Sequence, residues 1–244
     1  LSSPNALQTT TMSNKSSKRY VQAAALVEVG KTYSLRDAVA LLKKFPAPKF
    51  DGTVTLSAHL GVDPRKSDQM VRGSVSLPHG TGKAVKVIVF AQGDAAKAAL
   101  EAGADEVGFE DLIKKVQGGY VDFDAAIATP DAMTEVRKVA RILGPRGLMP
   151  NPKTGTVTDD TAKAVQAVKA GRIDYKVDKG SNIAAAVGKI SFSDEKLIDN
   201  LTALAESIVK AKPASAKGNY LQSFTVASSM VPGVRLDLSA FSAQ

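Results

Sequence analysis

Cysteine and tryptophan are absent from this sequence, histidine occurs twice, and aromatic residues of all kinds make up 5% of it. No disulfide, thiolate metal site or cysteine nucleophile can therefore be built. Two histidines also leave little for a zinc centre or a Ser-His-Asp triad, and no metal, cofactor or catalytic residue is expected. Long apolar runs are missing as well. The longest, from Ala84 to Ala91, is interrupted by Lys86 and falls far short of the roughly 20 residues of a membrane-spanning helix. The chain reads as soluble, with no membrane partner. It has 244 residues, 44% hydrophobic and 23% charged, enough for one or two globular domains with real cores. The net charge of +8 favours a polyanionic partner, with nucleic acid first among them.

One stretch fits no core element. Gly144 to Val157, GPRGLMPNPKTGTV, holds three glycines and three prolines, a composition that excludes a helix interior or a central strand and demands an ordered loop. Arg146 and Lys153 lie within it among exposed backbone N–H groups, which suits phosphate. The alternative is a structural crossover whose glycines and prolines only turn the chain, and spacing alone favours it. The GTGK at 80–83 resembles a phosphate loop superficially, but it precedes a strand and lacks both the glycine spacing and the hydroxyl residue after Lys83.

Residues 1–19 carry no acid and end on Lys15, Lys18 and Arg19, which predicts a disordered basic arm. A transit peptide, or an upstream extension before a true start at Met12, is the rival reading. Ser34 and Asp37 form a capping box for a short helix with Leu35, Ala38, Leu42 and Phe45 on one stripe. Val54, Leu56, Ala58 and Leu60 then alternate with Thr53, Thr55, Ser57 and His59, the period of a strand with one buried face. A second strand is expected around Gly73 to Leu77. From Ala84 the pattern becomes strand, helix, strand, helix, with helices at 94–101 and 110–117 and strands at 84–91, 106–108 and 124–129. This argues for a parallel sheet covered on both faces. A helix from Thr129 buries Met133, Val136, Ala140 and Leu143, and another runs from a Thr158 cap to Lys169. Alternation returns at 172–177 and 183–191. A long helix capped by Ser193 then buries Leu197, Leu201, Leu204 and Ile208. The strand at 220–227 carries Ser223, Thr225, Ala227 and Ser229 on an uncovered face.

These readings give a mixed α/β and α+β fold. A split α+β domain comes from both chain ends, residues 1–80 and 171–244, and an inserted three-layer α/β domain with a parallel sheet occupies 81–170. A nucleotide-dependent enzyme built on the parallel sheet is the alternative function. Its support is thin, because no glycine fingerprint follows Val85 to Phe90 and Asp122, Asp124 and Asp131 read as loop and cap acids.

The motifs KRY at 18–20, KFDGTV at 49–54, DPRKSDQMVRGSVSLPHGTGK at 63–83 and the 144–157 loop together resemble the bacterial form of the large-subunit ribosomal protein one family. The resemblance runs from about Lys18 to Arg235. It implies a structural ribosomal protein with no enzyme activity, located on the mobile stalk near the tRNA exit site of a cytoplasmic rather than organellar ribosome. The implied partners are large-subunit rRNA, exit-site tRNA and its own mRNA, with the protein a monomer within the ribosome. Assistance to the release of deacylated tRNA and repression of its own messenger are implied too. The rRNA-binding residues it implies are Lys49, Phe50, Thr53, His59, Lys189, Ser223, Ser229 and Met230, with further phosphate contacts from Lys18, Arg19, Arg146 and Lys153. The family's Thr-Met-Gly is Ser229-Met230-Val231 here, which raises the question of a positive φ at Val231. The family histidine before Lys189 is Ala184.

Overall fold

The computed structural model describes residues 17–28, 30–216, 218–239 and 241. In chain order the elements are α1 (Lys18–Ala24), α2 (Leu35–Lys44), β1 (Thr53–Leu60), β2 (Arg72–Ser76), β3 (Val87–Phe90), α3 (Asp94–Glu101), β4 (Glu106–Gly108), α4 (Glu110–Gln117), β5 (Ala125–Ala128), α5 (Met133–Val136), α6 (Ala140–Leu143), α7 (Thr161–Lys169), β6 (Arg172–Lys176), β7 (Asn182–Lys189), α8 (Asp194–Lys210), β8 (Leu221–Ser228) and β9 (Val234–Leu236). Short 3₁₀ turns occupy Arg137–Val139 and Pro152–Thr154.

Strand β1 sits at the centre of an antiparallel sheet ordered β7-β1-β8-β9. Its alternation holds along the whole strand, with Val54, Leu56, Ala58 and Leu60 buried and the residues between them half-buried. Helices α2 and α8 cover the buried face. Ser34 accepts the Asp37 N–H at 3.2 Å while its hydroxyl donates to the Asp37 carboxylate at 2.7 Å, so the start of α2 is fixed by local chemistry. Leu197, Leu201, Leu204 and Ile208 of α8 are fully buried, each contributing about 1.5–3 kcal/mol. Strands β2 and β6 form a separate antiparallel ladder, Gly73 opposite Tyr175, beside the same core.

The residues between have their own packing. Strands β4-β3-β5 make a parallel sheet. Successive β3 residues serve opposite faces: Ile88 and Phe90 pack with α4, α5 and α6, while Val87 and Val89 pack with Ala99 of α3 and Val165 and Val168 of α7. Three layers result, as the unbroken apolar runs require. Asp105 and Asp124 tie down the start of β3. Asp105 accepts the Val87 N–H at 2.8 Å, and Asp124 pairs with Lys83 at 2.5 Å and accepts the Lys86 N–H at 3.3 Å.

Three expectations are corrected. The helix after Thr129 is broken by the 3₁₀ turn at 137–139, which rotates its buried stripe to Ala132, Val136, Val139 and Leu143, leaving Met133 and Ala140 half-buried. Helix α7 is capped by Asp160, which accepts the Lys163 N–H, while Thr158 accepts the Asp160 N–H one turn earlier. Lys18 and Arg19 belong to α1 rather than to an arm, because Ser17 accepts the Tyr20 N–H at 3.2 Å and caps the helix there. Residues 1–16, the rest of the expected arm, lie outside the described residues.

The chain passes between the two packed regions twice, and the two crossings touch. Gly80 (φ 64°) and Gly171 (φ 101°) lie so close that a Cβ on Gly171 would stand 2.3 Å from the Gly80 Cα. Asn200 of α8, fully buried, accepts the His79 N–H and donates to the carbonyls of Gly80 and Val187. The crossing is thus sewn to the core by a saturated side chain.

Two outcomes follow from this packing. Gly171→Ala meets both a disallowed φ and a backbone clash, and should lower stability by at least about 2 kcal/mol, read by denaturant unfolding. A loss under half of that would mean the crossings can move apart freely. Backbone hydrogen bonding from Val87 first, opposed in part by burial and aided by Lys169, holds Asp105 below the ordinary carboxylate range. Lys83 does the same for Asp124. A depressed carboxylate stabilises the fold fully above its unfolded pKa of about 4 and loses that contribution as pH falls through the lower folded value. Melting temperature should therefore drop between about pH 4 and 2, and Asp105→Asn with Asp124→Asn should flatten that slope.

Candidate nucleic-acid interface

The face of the four-stranded sheet opposite α2 and α8 is built from residues that alternate out of the core. Register brings them into rows. Asn182, His59 and Ser223 form one; Ala184, Ser57, Thr225 and Arg235 the next; Ala186, Thr55 and Ala227 the third; Lys189 and Thr53 the last. The large apolar side chains of these strands pack on the other face, so the centre of the surface is flat and carries hydroxyls, with the longer polar side chains His59, Lys189 and Arg235 toward its edges. A flat hydroxyl surface can approach sugar and phosphate closely and donate to them.

The ends of the face differ. At one, Lys189 donates to Thr53 Oγ1 at 3.0 Å, and the Thr53 N–H donates to Ser229 Oγ at 3.1 Å while the Thr53 carbonyl accepts the Ser229 N–H. Three of the expected binding residues are thus knitted into one cluster, with Lys49 exposed nearby in sequence. Phe50 and Met230 flank it, 53% and 67% exposed, unlike most large apolar side chains of the protein. Met230 also holds φ at +65°. The question raised by Val231 is answered here: the left-handed residue of this turn is Met230, and Val231 is half-buried against the core, so the missing family glycine is not needed for φ. Met230 is thus an exposed methionine in a strained backbone conformation, next to the Ser229–Thr53 bonds. At the other end, His59 Nδ1 donates to Asn182 Oδ1 at 2.8 Å. Beside it opens a polar cavity of about 570 Å³ lined by Asp63, Lys66, Gln69 and Ser181 among others.

Not every expected residue joins this face. Arg146 is exposed and belongs to the loop after α6. Lys153 lies on the 3₁₀ turn of that loop, and its side chain is outside what is described. The second half of the loop is structural: Thr156 Oγ1 accepts the Asn151 N–H at 2.8 Å, Val157 bridges Ala128, and Gly155 packs so tightly on Arg172 that a Cβ would lie 2.8 Å from its guanidinium. Asn182 and Arg235 sit on the face but were missed. Arg235 alternates in phase with Val234 and Leu236, a signal present in the sequence; Asn182 becomes visible only through its register opposite His59.

The parallel sheet has a cavity of about 380 Å³ in its region, lined by Gln92, Ala95, Phe109, Thr129, Asp131, Ala132 and Asp159. It presents two carboxylates and no cation, the wrong sign for nucleotide phosphates. Among the described residues no three His, Cys, Asp or Glu are placed to hold a metal, and no helix is long and apolar enough to cross a membrane.

Fold and surface together define a class: a two-part α/β binding protein with an open, hydroxyl-bearing sheet face. Comparison with known proteins is specific. Residues 42–232 match the profile of the "Ribosomal protein L1p/L10e family". Two relatives named "Large ribosomal subunit protein uL1", from two strains of Lactobacillus delbrueckii subsp. bulgaricus, are each 56% identical over 223 residues, 91% of this chain and 96% of theirs. The chain belongs to the ribosomal protein L1p/L10e family, whose members are structural, non-enzymatic ribosomal components. The enzyme alternative is set aside.

The geometry of the turn makes a prediction. Met230→Gly relieves the left-handed strain, at about 1–3 kcal/mol, against the greater freedom of glycine in the unfolded chain, so thermal stability should hold or rise by up to about 1 kcal/mol. Ser229→Ala instead leaves the Thr53 N–H without its acceptor and should cost about 1–3 kcal/mol. Thermal melts of both variants check the opposite signs.

Proposed function

We propose that this protein binds large-subunit rRNA through the open sheet face, on the mobile stalk near the tRNA exit site. One observation carries the reading: the face of the four-stranded sheet that no other described residues cover is paved with small and hydroxyl side chains and edged by Lys49, Lys189, Arg235, Phe50 and Met230. Hydroxyls and lysines take the backbone, while Phe50 and Met230 take sugars or bases. We further propose that residues 81–170 act as an inserted domain carried on the double crossing, which serves as a hinge when deacylated tRNA is released. The same face, in this reading, binds a mimic in the protein's own messenger and represses translation. The names of the relatives support the ribosomal setting, and the net charge supports a polyanionic partner.

The test is binding to a transcribed stalk rRNA fragment across a salt series. If about six phosphates are neutralised, log affinity should fall against log salt with a slope of about −4 to −5; a slope near zero would remove the electrostatic basis of the reading. Met230→Ala should weaken binding, whereas Arg146→Ala with Lys153→Ala should cost no more than about 1 kcal/mol, as exposed charges do. Because Gly80 and Gly171 abut, deleting 81–170 and joining the ends with a short glycine linker should leave a chain that folds and binds. Failure to fold would count against the inserted-domain reading.

A further inference from the structure

Beside the Met230 turn lies a cavity of about 350 Å³ lined by Ser17, Arg19, Tyr20, Met230 and Val231, within the range of small-ligand sites. Its walls come from opposite ends of the sequence. Helix α1 is anchored by Ala23, fully buried in the core, and this leaves Tyr20 exposed at 39% on the rim. Arg19 is different in kind from a surface cation: it is half-buried, and its Nε is inaccessible to solvent and has no hydrogen-bond partner among the described residues. A guanidinium short of a bond, against a phenol ring and a thioether held out by a left-handed backbone, offers donors and flat apolar surface together. Such a combination fits the face and edge of a nucleobase.

We propose that this corner cavity holds a single unpaired nucleobase of the bound RNA, with Tyr20 and Met230 against its faces and the Arg19 guanidinium donating to its edge. The proposal rests on the rRNA-binding reading above and adds a base-selecting site to it. Arginine donates only, so the base must present acceptors, and guanine N7 and O6 match the guanidinium fork best. The bases on either side stay on the hydroxyl face, where contacts are to the backbone. Arg19 and Tyr20 thereby become specificity determinants rather than members of a loose phosphate-binding arm.

The test uses the full chain and the transcribed stalk rRNA fragment, with guanine N7 reactivity to dimethyl sulfate read by primer extension after strand scission. Wild-type protein should protect one unpaired guanine. Tyr20→Ala should weaken binding by roughly tenfold to a hundredfold, the range for loss of one stacked base, and restore that reactivity, while Tyr20→Phe keeps both affinity and protection. Arg19→Gln should restore reactivity with a smaller affinity loss, and replacing the protected guanine by adenine should mimic it. Circular dichroism melts establish that α1 and the core are intact in each variant. Wild-type affinity and protection in both Tyr20→Ala and Arg19→Gln would overturn the proposal. So would weakened binding with no guanine changing reactivity, since that pattern belongs to a backbone contact. If the wild type itself fails to bind the fragment, the rRNA reading falls, and the guanine site with it.

Discussion

Among the described residues, strand β1 has no strand partner before it or among the many that follow it immediately. Both of its ladders, to β7 and to β8, are made with the last third of the chain. A central strand with two empty edges cannot stand alone, since every N–H and C=O along it would lack a bond. The rest of the architecture answers to this requirement. The chain can make its long excursion through the parallel sheet only if it returns into contact with where it left. The contact of Gly80 with Gly171 is that return, and Asn200 holds it to α8. Glycine is favoured at both points for different reasons: both hold a positive φ, and at Gly171 the Gly80 backbone also leaves no room for a side chain.

The same ladders decide which face is free. With α2 and α8 packed on the even-numbered side of β1, the odd-numbered side carries no third layer among the described residues, and its Thr, Ser and Ala residues are small enough to leave a plane. A bare sheet face normally invites association through apolar contact; hydroxyls there make the surface wettable and selective for hydrogen-bonding partners. The chemistry of the face is therefore a by-product of strand alternation, sharpened at its corners by a few residues with special backbone or packing.

Much of this was legible in the residues. The phase of Val54 to Leu60, the Leu197 to Ile208 stripe, the Ser34 and Ser193 caps and the bounds of the helices at 94–101 and 110–117 follow from local rules, because local sequence and tertiary packing agree there. The corner cluster of Thr53, Lys189 and Ser229 was reachable residue by residue only through family resemblance, since its members lie far apart in sequence. What escaped was set by long-range geometry. The break at 137–139 arises where the chain must turn toward the 144–157 loop, and the Asp160 cap wins over Thr158 although either side chain can cap. The burial of Arg19 depends on a turn more than two hundred residues away, so no window of sequence could reveal it.

The pairing of β1 also has a consequence in time. During synthesis β1 leaves the ribosome about 120 residues before β7 begins, and at about 5–20 residues per second this is a wait on the order of ten seconds. The parallel sheet between them needs only contacts within its own span and can close meanwhile. A nascent chain would then carry a folded middle and an open, two-edged β1, exposed to any stray strand until its carboxyl-terminal partners emerge. The protein's vulnerability to aggregation is thus concentrated in one interval of its own translation rather than in its finished form.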